Sequence, residues 1–261
     1  MIIALCLFLL GAQESYVLHN PGYNPGMFSL FSSVLGFLDF HEEKGCAVEV
    51  DFGKKGVYYD KKKGPNWWNY YFEPIALGDV GKAIEITDEQ QSSFANKIHS
   101  QMSRKEVHRL IENYIRIKKP IQAKIEAFIL QHFKDHFVIG IHYRGTDKIS
   151  EAARVDYEAV YQEIEKAIDE KKEFKLFVAT DEQPFLDAIS LRYPGKVISI
   201  EAIRSSSSKA VHASRKNGYQ KGEEALIDCI LLSKTNLLIR TSSNLSACSA
   251  FFNPDLTVIV L

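Results

Sequence analysis

From residue 137 to its end the chain alternates short apolar runs with helical-period stretches, and this alternation constrains the fold more than any other feature. Runs at 137–142, 174–179, 197–200, 236–240 and 256–261 read as strands, and stretches at 157–170, 185–193, 223–233 and 243–252 read as helices. Val160, Tyr161, Ile164 and Ile168 show the spacing, three or four residues apart on one face. Such a βαβα series implies a parallel sheet covered by helices, with a ligand crevice outside the carboxyl ends of its strands. The polar tract from Ser205 to Ser208 is too short to be an interdomain linker.

The first half contains a shorter version of the same pattern. Residues 15–18 read as a strand, and a Pro/Gly loop running from His19 to Gly26 follows. A helix from Met27 to about Asp39 carries Phe28, Phe31, Leu35 and Leu38, and a second strand covers 47–52. This is a strand, glycine loop, helix and strand unit, as in one half of a Rossmann-like fold. Between Thr87 and Asp135 the period is helical. Thr87 with Gln90 and Ser103 with Glu106 match the capping box, and Pro120 separates two apolar stripes. The aromatic run Trp67, Trp68, Tyr70, Tyr71 and Phe72 reads as a packed loop in preference to a sugar-stacking platform.

The strand at 137–142 runs into Tyr143-Arg144-Gly145-Thr146-Asp147-Lys148. Side chains alternate along a strand, so His142 and Arg144 share a face opposite Ile141 and Tyr143. An arginine at a strand end offers five fixed donors, a geometry that suits phosphate. Thr180-Asp181-Glu182 and Thr241-Ser242-Ser243-Asn244 follow two other strands. Each reads singly as a helix cap, but on one sheet with Arg144 they read as a shared anion site.

With 32 basic and 33 acidic residues the formal charge is -1, which leaves no excess of positive charge for nucleic acid or anionic membrane. Residues 2–10 are apolar but fall short of the ~20 residues needed to span a bilayer. They read as part of a signal peptide over 1–13, implying export, or as a buried strand, implying a cytoplasmic protein. Cys6, Cys46, Cys229 and Cys248 form no metal-ligand spacing, so buried thiols are expected.

The runs His142 to Lys148, Phe177 to Glu182 with Tyr193-Pro194, Asp228 to Ser233 and Thr241 to Ser243 resemble the three motifs of GDP-fucose-dependent fucosyltransferases, particularly the α-1,6 and nodulation group. The match extends over 137–253 in order and spacing. The resemblance implies a GT-B-type α/β fold of two Rossmann-like halves with parallel sheets. In that arrangement 14–134 is an acceptor-side domain with a helical bridge, and 135–261 is the GDP-sugar domain. It also implies site roles. His142 and Asp228 hold the guanosine, Arg144 and Ser242 or Ser243 bind the β-phosphate, and Gly26 lets backbone approach the donor. Asp181 belongs to the same site. Glu151 with Lys148 matches the family's base if one residue is deleted.

The implied reaction is an inverting transfer of a sugar, most of all fucose, from GDP-fucose to a glycan or glycoconjugate hydroxyl. No Asp-x-Asp pair offers a metal clamp, so a metal-independent enzyme with no cofactor beyond its donor substrate is expected. The family's second arginine is here Gly145. That departure leaves open another nucleotide-sugar donor or an inactive glycan-binding relative.

Overall fold

The computed structural model describes residues 14–23, 25–145, 155–168, 173–206 and 217–261. The signal-peptide reading of 1–13, with Cys6, and the assignments to Lys148 and Glu151 lie outside the described residues.

In the first half, β1 (Ser15–His19) and β2 (Ala47–Asp51) pair in parallel around helix α1 (Met27–Lys44). The helix extends past Asp39 because Glu42 and Glu43 continue its polar face, paired to Arg109 and Lys97 at 2.7 Å each. It stops at Gly45, whose φ of 63° suits the left-handed turn that closes a helix. Two short strands that the sequence did not announce complete the sheet. They are β3 (Ala76–Leu77), antiparallel to β2, and β4 (Ile84–Glu85), parallel to β1, giving the order β3-β2-β1-β4. The first sheet is therefore mixed.

The aromatic run forms one turn of 3-10 helix over Trp67–Tyr70. The Asn66 side chain caps it, accepting from Trp68 N, and also donates to Val50 O. Trp67 and Trp68 are fully buried, so the run is packing, as the composition of the segment implied.

Helices α2 (Asp88–Ser100), α3 (Arg104–Tyr114) and α4 (Lys119–His132) follow. Both capping boxes form, with Thr87 and Gln90 exchanging bonds of 2.9 and 3.2 Å. Pro120 sits in the first turn of α4, where its missing N–H costs nothing.

The second half is a parallel five-stranded sheet. Its strands are β5 (Phe137–Tyr143), β6 (Phe174–Thr180), β7 (Val197–Ile198), β8 (Leu237–Arg240) and β9 (Thr257–Val260), in the order β7-β6-β5-β8-β9. Helices α5 (Tyr157–Ile168), α6 (Gln183–Arg192), α7 (Gly218–Ser233) and α8 (Asn244–Phe252) connect them. The order reverses between β5 and β8, and at such a switch point the crossovers diverge and open a crevice above the strand ends.

Alternation along β5 divides the core. Ile139, Ile141 and Tyr143 face α5 and α6 in one cluster, while Val138 faces a larger one. Gly140 shares the face of Val138. A Cβ there would lie 2.8 Å from Thr235 Oγ1, so the glycine lets the end of α7 close on the strand. The larger cluster runs without a break from α1 to α4 into α7 and α8. Phe31 stacks on Phe252 at 5.5 Å, Arg104 donates to Leu256 O at 3.0 Å, and His108 bonds Phe251 O at 2.9 Å. Cys46, Cys229 and Cys248 are buried free thiols. Among the described residues no helix is long and apolar enough to cross a membrane.

Candidate active site

Three strand ends are tied together at the switch point. Thr241 N donates to His142 O at 3.0 Å, Arg144 N to Thr241 Oγ1 at 3.1 Å, and Gly145 N to Asp181 Oδ1 at 3.2 Å. The alternation expected of β5 holds: Ile141 and Tyr143 are buried against α6, while His142 and Arg144 line a cavity of about 430 Å³.

Two helix N-termini also reach this cavity. Gly26 caps α1 with an ordinary φ of -64°, and a Cβ on it would meet nothing within 4 Å. Its value is therefore the room it leaves on the cavity side. The next amide, Met27 N, donates to the buried Tyr58 hydroxyl at 2.8 Å. Ser243 occupies the N-cap position of α8, yet its hydroxyl makes no cap bond. The capping explanation thus fails for Ser243, which lines the cavity. Ser242 is exposed and lies off the lining, so of the two candidates Ser243 is the one brought to the site. The helix dipole makes both termini favourable to an anion, and Arg144 stands with them.

The opposite wall is one face of α7. Lys221, Glu224 and Asp228 line the cavity from it, and Ala179, Ala202, Ile203, Ala225 and Leu245 add an apolar lining. Glu224 is engaged structurally, accepting from Ile203 N at 3.1 Å and Gln220 Nε2 at 2.7 Å. Three other polar atoms in the lining, His142 Nδ1, Asp228 Oδ1 and Ser243 Oγ, are buried and have no hydrogen-bond partner among the described residues. Buried polar groups are rarely left so, because each costs roughly 1–3 kcal/mol.

Burial also sets their charge states. It pushes His142 down to about 3, helped by the Arg144 and Arg240 guanidiniums, so the imidazole is neutral at any physiological pH. Burial pushes Asp228 up to about 8, against the pull of Arg204 and with a further push from Glu224. At neutral pH the free site thus holds a neutral imidazole and a mostly protonated carboxyl.

Gly145 has a local physical cause. A Cβ at this position would fall on Glu182 Oε2 and within 2.8 Å of Tyr143 Cε1. Glu182 is buried, and its Oε1 accepts from the Tyr157 hydroxyl at 2.8 Å. The space that a larger residue would need is filled by this carboxylate.

Of the sequence-derived candidates, Gly26, His142, Arg144, Asp181, Asp228 and Ser243 therefore share one cavity. Sequence reasoning missed Tyr58, Lys221 and Glu224. The last two carry a faint signal, since they precede Asp228 by seven and four positions on one helical face. Tyr58 carries none, because a loop brings it in from the other half.

The family model described as Nodulation protein Z (NodZ) matches residues 95–257. Nodulation protein Z of Bradyrhizobium diazoefficiens is 27% identical over 198 residues, which is 67% of this chain and 53% of the relative. That of Sinorhizobium fredii is 28% identical over 199 residues, 67% of this chain and 61% of the relative. The chain thus spans between half and two thirds of the length of these relatives.

Among solved structures, NodZ alpha-1,6-fucosyltransferase soaked with GDP-fucose superposes with a TM-score of 0.64 at 20% identity, covering 92% of this chain and 94% of that one. POFUT1 in complex with GDP gives 0.58 at 9% identity, covering 96% and 98%. At such identities these two comparisons show a shared GT-B-type fold. The family-model match covers more than half of the residues, and on that basis this chain belongs to the nodulation protein Z family.

Proposed function

We propose that the chain is a fucosyltransferase that binds GDP-fucose in this cavity and passes fucose to a hydroxyl of a glycan or glycoconjugate. The observation that carries the reading is the set of three buried, unpartnered polar atoms facing one cavity together with Arg144 and two helix N-termini. Guanine presents two neighbouring N–H donors on one edge, and the carboxyl of Asp228 offers two acceptors to match them. His142 supplies a neutral ring nitrogen to the nucleoside beside it. A diphosphate suits the other end, where Arg144, Ser243 and the backbone around Gly26 supply donors. Solved NodZ structures with GDP and with GDP-fucose support the donor class.

The chemistry follows from these roles. The acceptor oxygen attacks the anomeric carbon as the bond to the β-phosphate oxygen breaks on the opposite face, which inverts the centre. The proton of the acceptor passes to a carboxylate, assigned by resemblance to Glu151 with Lys148 alongside. Negative charge collects on the departing GDP, where Arg144 and the Ser243 hydroxyl stabilise it as it develops. In this scheme side chains and amides carry the phosphate charge, and the reaction needs no metal ion. Residues 135–261 form the donor half and 14–134 the acceptor side.

A second reading, transfer of another sugar from GDP, is favoured by one observation, the glycine and buried carboxylate at 145 and 182 where the family has a cation. Calorimetric titration with GDP, UDP and ADP, followed by transfer assays with GDP-fucose and other GDP-sugars over a panel of glycan acceptors, tests both. Binding of GDP alone and transfer of fucose are expected. Absence of GDP binding would overturn the assignment of the site.

A further inference from the structure

The loop between β2 and the aromatic turn, residues 52–66, carries five lysines, Lys54, Lys55, Lys61, Lys62 and Lys63, against the single carboxylate of Asp60. In a chain whose formal charge is -1 this is a local concentration of cations. All five are exposed, and none is ion-paired to a carboxylate among the described residues. Other lysines of this chain do have partners: Lys97, Lys118, Lys124 and Lys166 lie 2.6–2.8 Å from a carboxylate oxygen. Like charges held together repel one another, and their field attracts anions to that part of the surface.

The loop presents these charges from a fixed backbone. The Tyr70 hydroxyl donates to Gly64 O at 2.6 Å and lies 2.9 Å from Asp60 O, while Asp60 Oδ1 accepts from Lys62 N at 2.9 Å. A ligand that binds here therefore has little backbone to order.

The same loop borders the donor cavity. Tyr58, three positions from Lys55 and three from Lys61, lines the cavity and accepts from Met27 N at 2.8 Å. Gly218, at the start of α7, lies against the backbone of Val57, Tyr58 and Tyr59. Lys63 Nζ stands 3.9 Å over the Tyr219 ring, which fixes the second group of lysines beside the first turn of α7. The cations thus flank a wall of the cavity that the first half of the chain supplies.

We infer that the loop at 52–66 receives the acceptor, and that the acceptor is an acidic glycan bearing carboxylate or sulfate groups. The inference rests on the proposed transferase reading and adds the chemical class of its acceptor. An anionic membrane is the competing partner for such a patch, but a position beside the sugar-transfer cavity favours a ligand that enters that cavity. Lysine suits the task, since its ammonium is a mobile point charge that attracts an anion without demanding one substituent geometry.

The test uses an oligouronate and a sulfated oligosaccharide, each paired with its neutral counterpart of the same length. Binding to the chain is titrated with and without GDP, at low and raised salt, and transfer from GDP-fucose gives KM and kcat for the same pairs. The wild-type chain should prefer the acidic member by about tenfold or more at low salt, and the preference should shrink as salt screens the lysines. Changing Lys54, Lys55, Lys61 and Lys62 together to Gln should raise KM for the acidic acceptor by about tenfold, as the loss of several surface contacts would. It should leave kcat, the neutral acceptor's KM and the thermal melt unchanged, and the same four positions changed to Arg should keep the preference. No preference for the acidic member of either pair, or an unaltered preference in the Gln variant, would overturn the inference. So would lysine-dependent binding to phosphatidylglycerol vesicles by a chain indifferent to acidic glycans. Failure of the wild-type chain to bind GDP would bring down the transferase reading and the acceptor role with it, a result read before any glycan is added.

Discussion

Binding of GDP should expel a proton, and Asp228 sets how much of one. In the free protein its carboxyl has a pKa of about 8, so at pH 7 roughly nine-tenths of the molecules carry the proton. A guanine edge that donates two N–H bonds needs the ionised form, and binding drives the remaining proton off. The terminal phosphate of GDP, with a second pKa of about 6, adds about a tenth of a proton at pH 7. The expected release is therefore about one proton per GDP at pH 7, fading as the pH rises past 8.

The same quantities give the effect of Asp228→Asn. Two hydrogen bonds to a charged group contribute roughly 1.5–3 kcal/mol each, and ionising the carboxyl at pH 7 offsets about 1.4 kcal/mol of that. The substitution should weaken GDP by roughly 2–5 kcal/mol, or about thirty- to several-thousandfold. Calorimetry in two buffers of different ionisation enthalpy counts the protons directly. An identical heat in both buffers for the wild-type chain, or full affinity in the variant, would refute the placement of guanine on Asp228.

Stability carries the same signature with the opposite partner. The folded pKa lies above the unfolded one, so the unfolded chain gives up this proton first as the pH rises. The free protein should lose stability from about pH 4 up to about 8, with no further loss from this group above that. Asp228→Asn should flatten this part of the pH profile.

Arg144→Ala should abolish transfer with little change in melting temperature, because the side chain faces the cavity and not the core; retained turnover would remove Arg144 from the reaction. Gly145→Arg should destabilise the protein by about 1–3 kcal/mol or more through overpacking on Glu182, and Glu182→Ala in the same chain should recover part of that loss in a denaturant melt. Transfer assayed in excess EDTA should proceed at its full rate, and dependence on added divalent ion would refute the side-chain account of phosphate binding. Activity should also show no step from His142 between pH 5 and 7, since burial keeps that imidazole neutral well below this range.

What could be read from the chain beforehand was whatever depends on local period. The parallel strands β5, β6 and β8 are continuous apolar runs because both their faces are covered, and that pattern is visible in one dimension. The facing of His142 and Arg144 followed from alternation alone. The start of α7 did not, because Gly218 and Gly222 argue against helix locally, and only the Tyr71 side chain and the loop at 57–59 make glycine the right residue there. Strands of two residues, such as β3 and β4, hold too little pattern to be seen. The choice of Ser243 over Ser242 depended on a half-turn of orientation at a helix start, which no spacing rule resolves. Tyr58 belongs to the site through tertiary contacts and has no neighbouring motif to announce it.

The unbroken packing from α1 through α8 bears on how the chain can be engineered. Glycosyltransferases with two nucleotide-fold halves invite chimeras in which one half is transplanted to change the acceptor. Here a graft at residues 134 and 135 would part Phe31 from Phe252 and His108 from Phe251, and would ask a foreign surface to accept helix α8. A workable exchange has to carry the surfaces of α1 and α3 that meet α8 along with residues 135–261, or redesign all three together. If the proposed function holds, loops around the cavity mouth offer a less disruptive place for substitutions than trading whole halves.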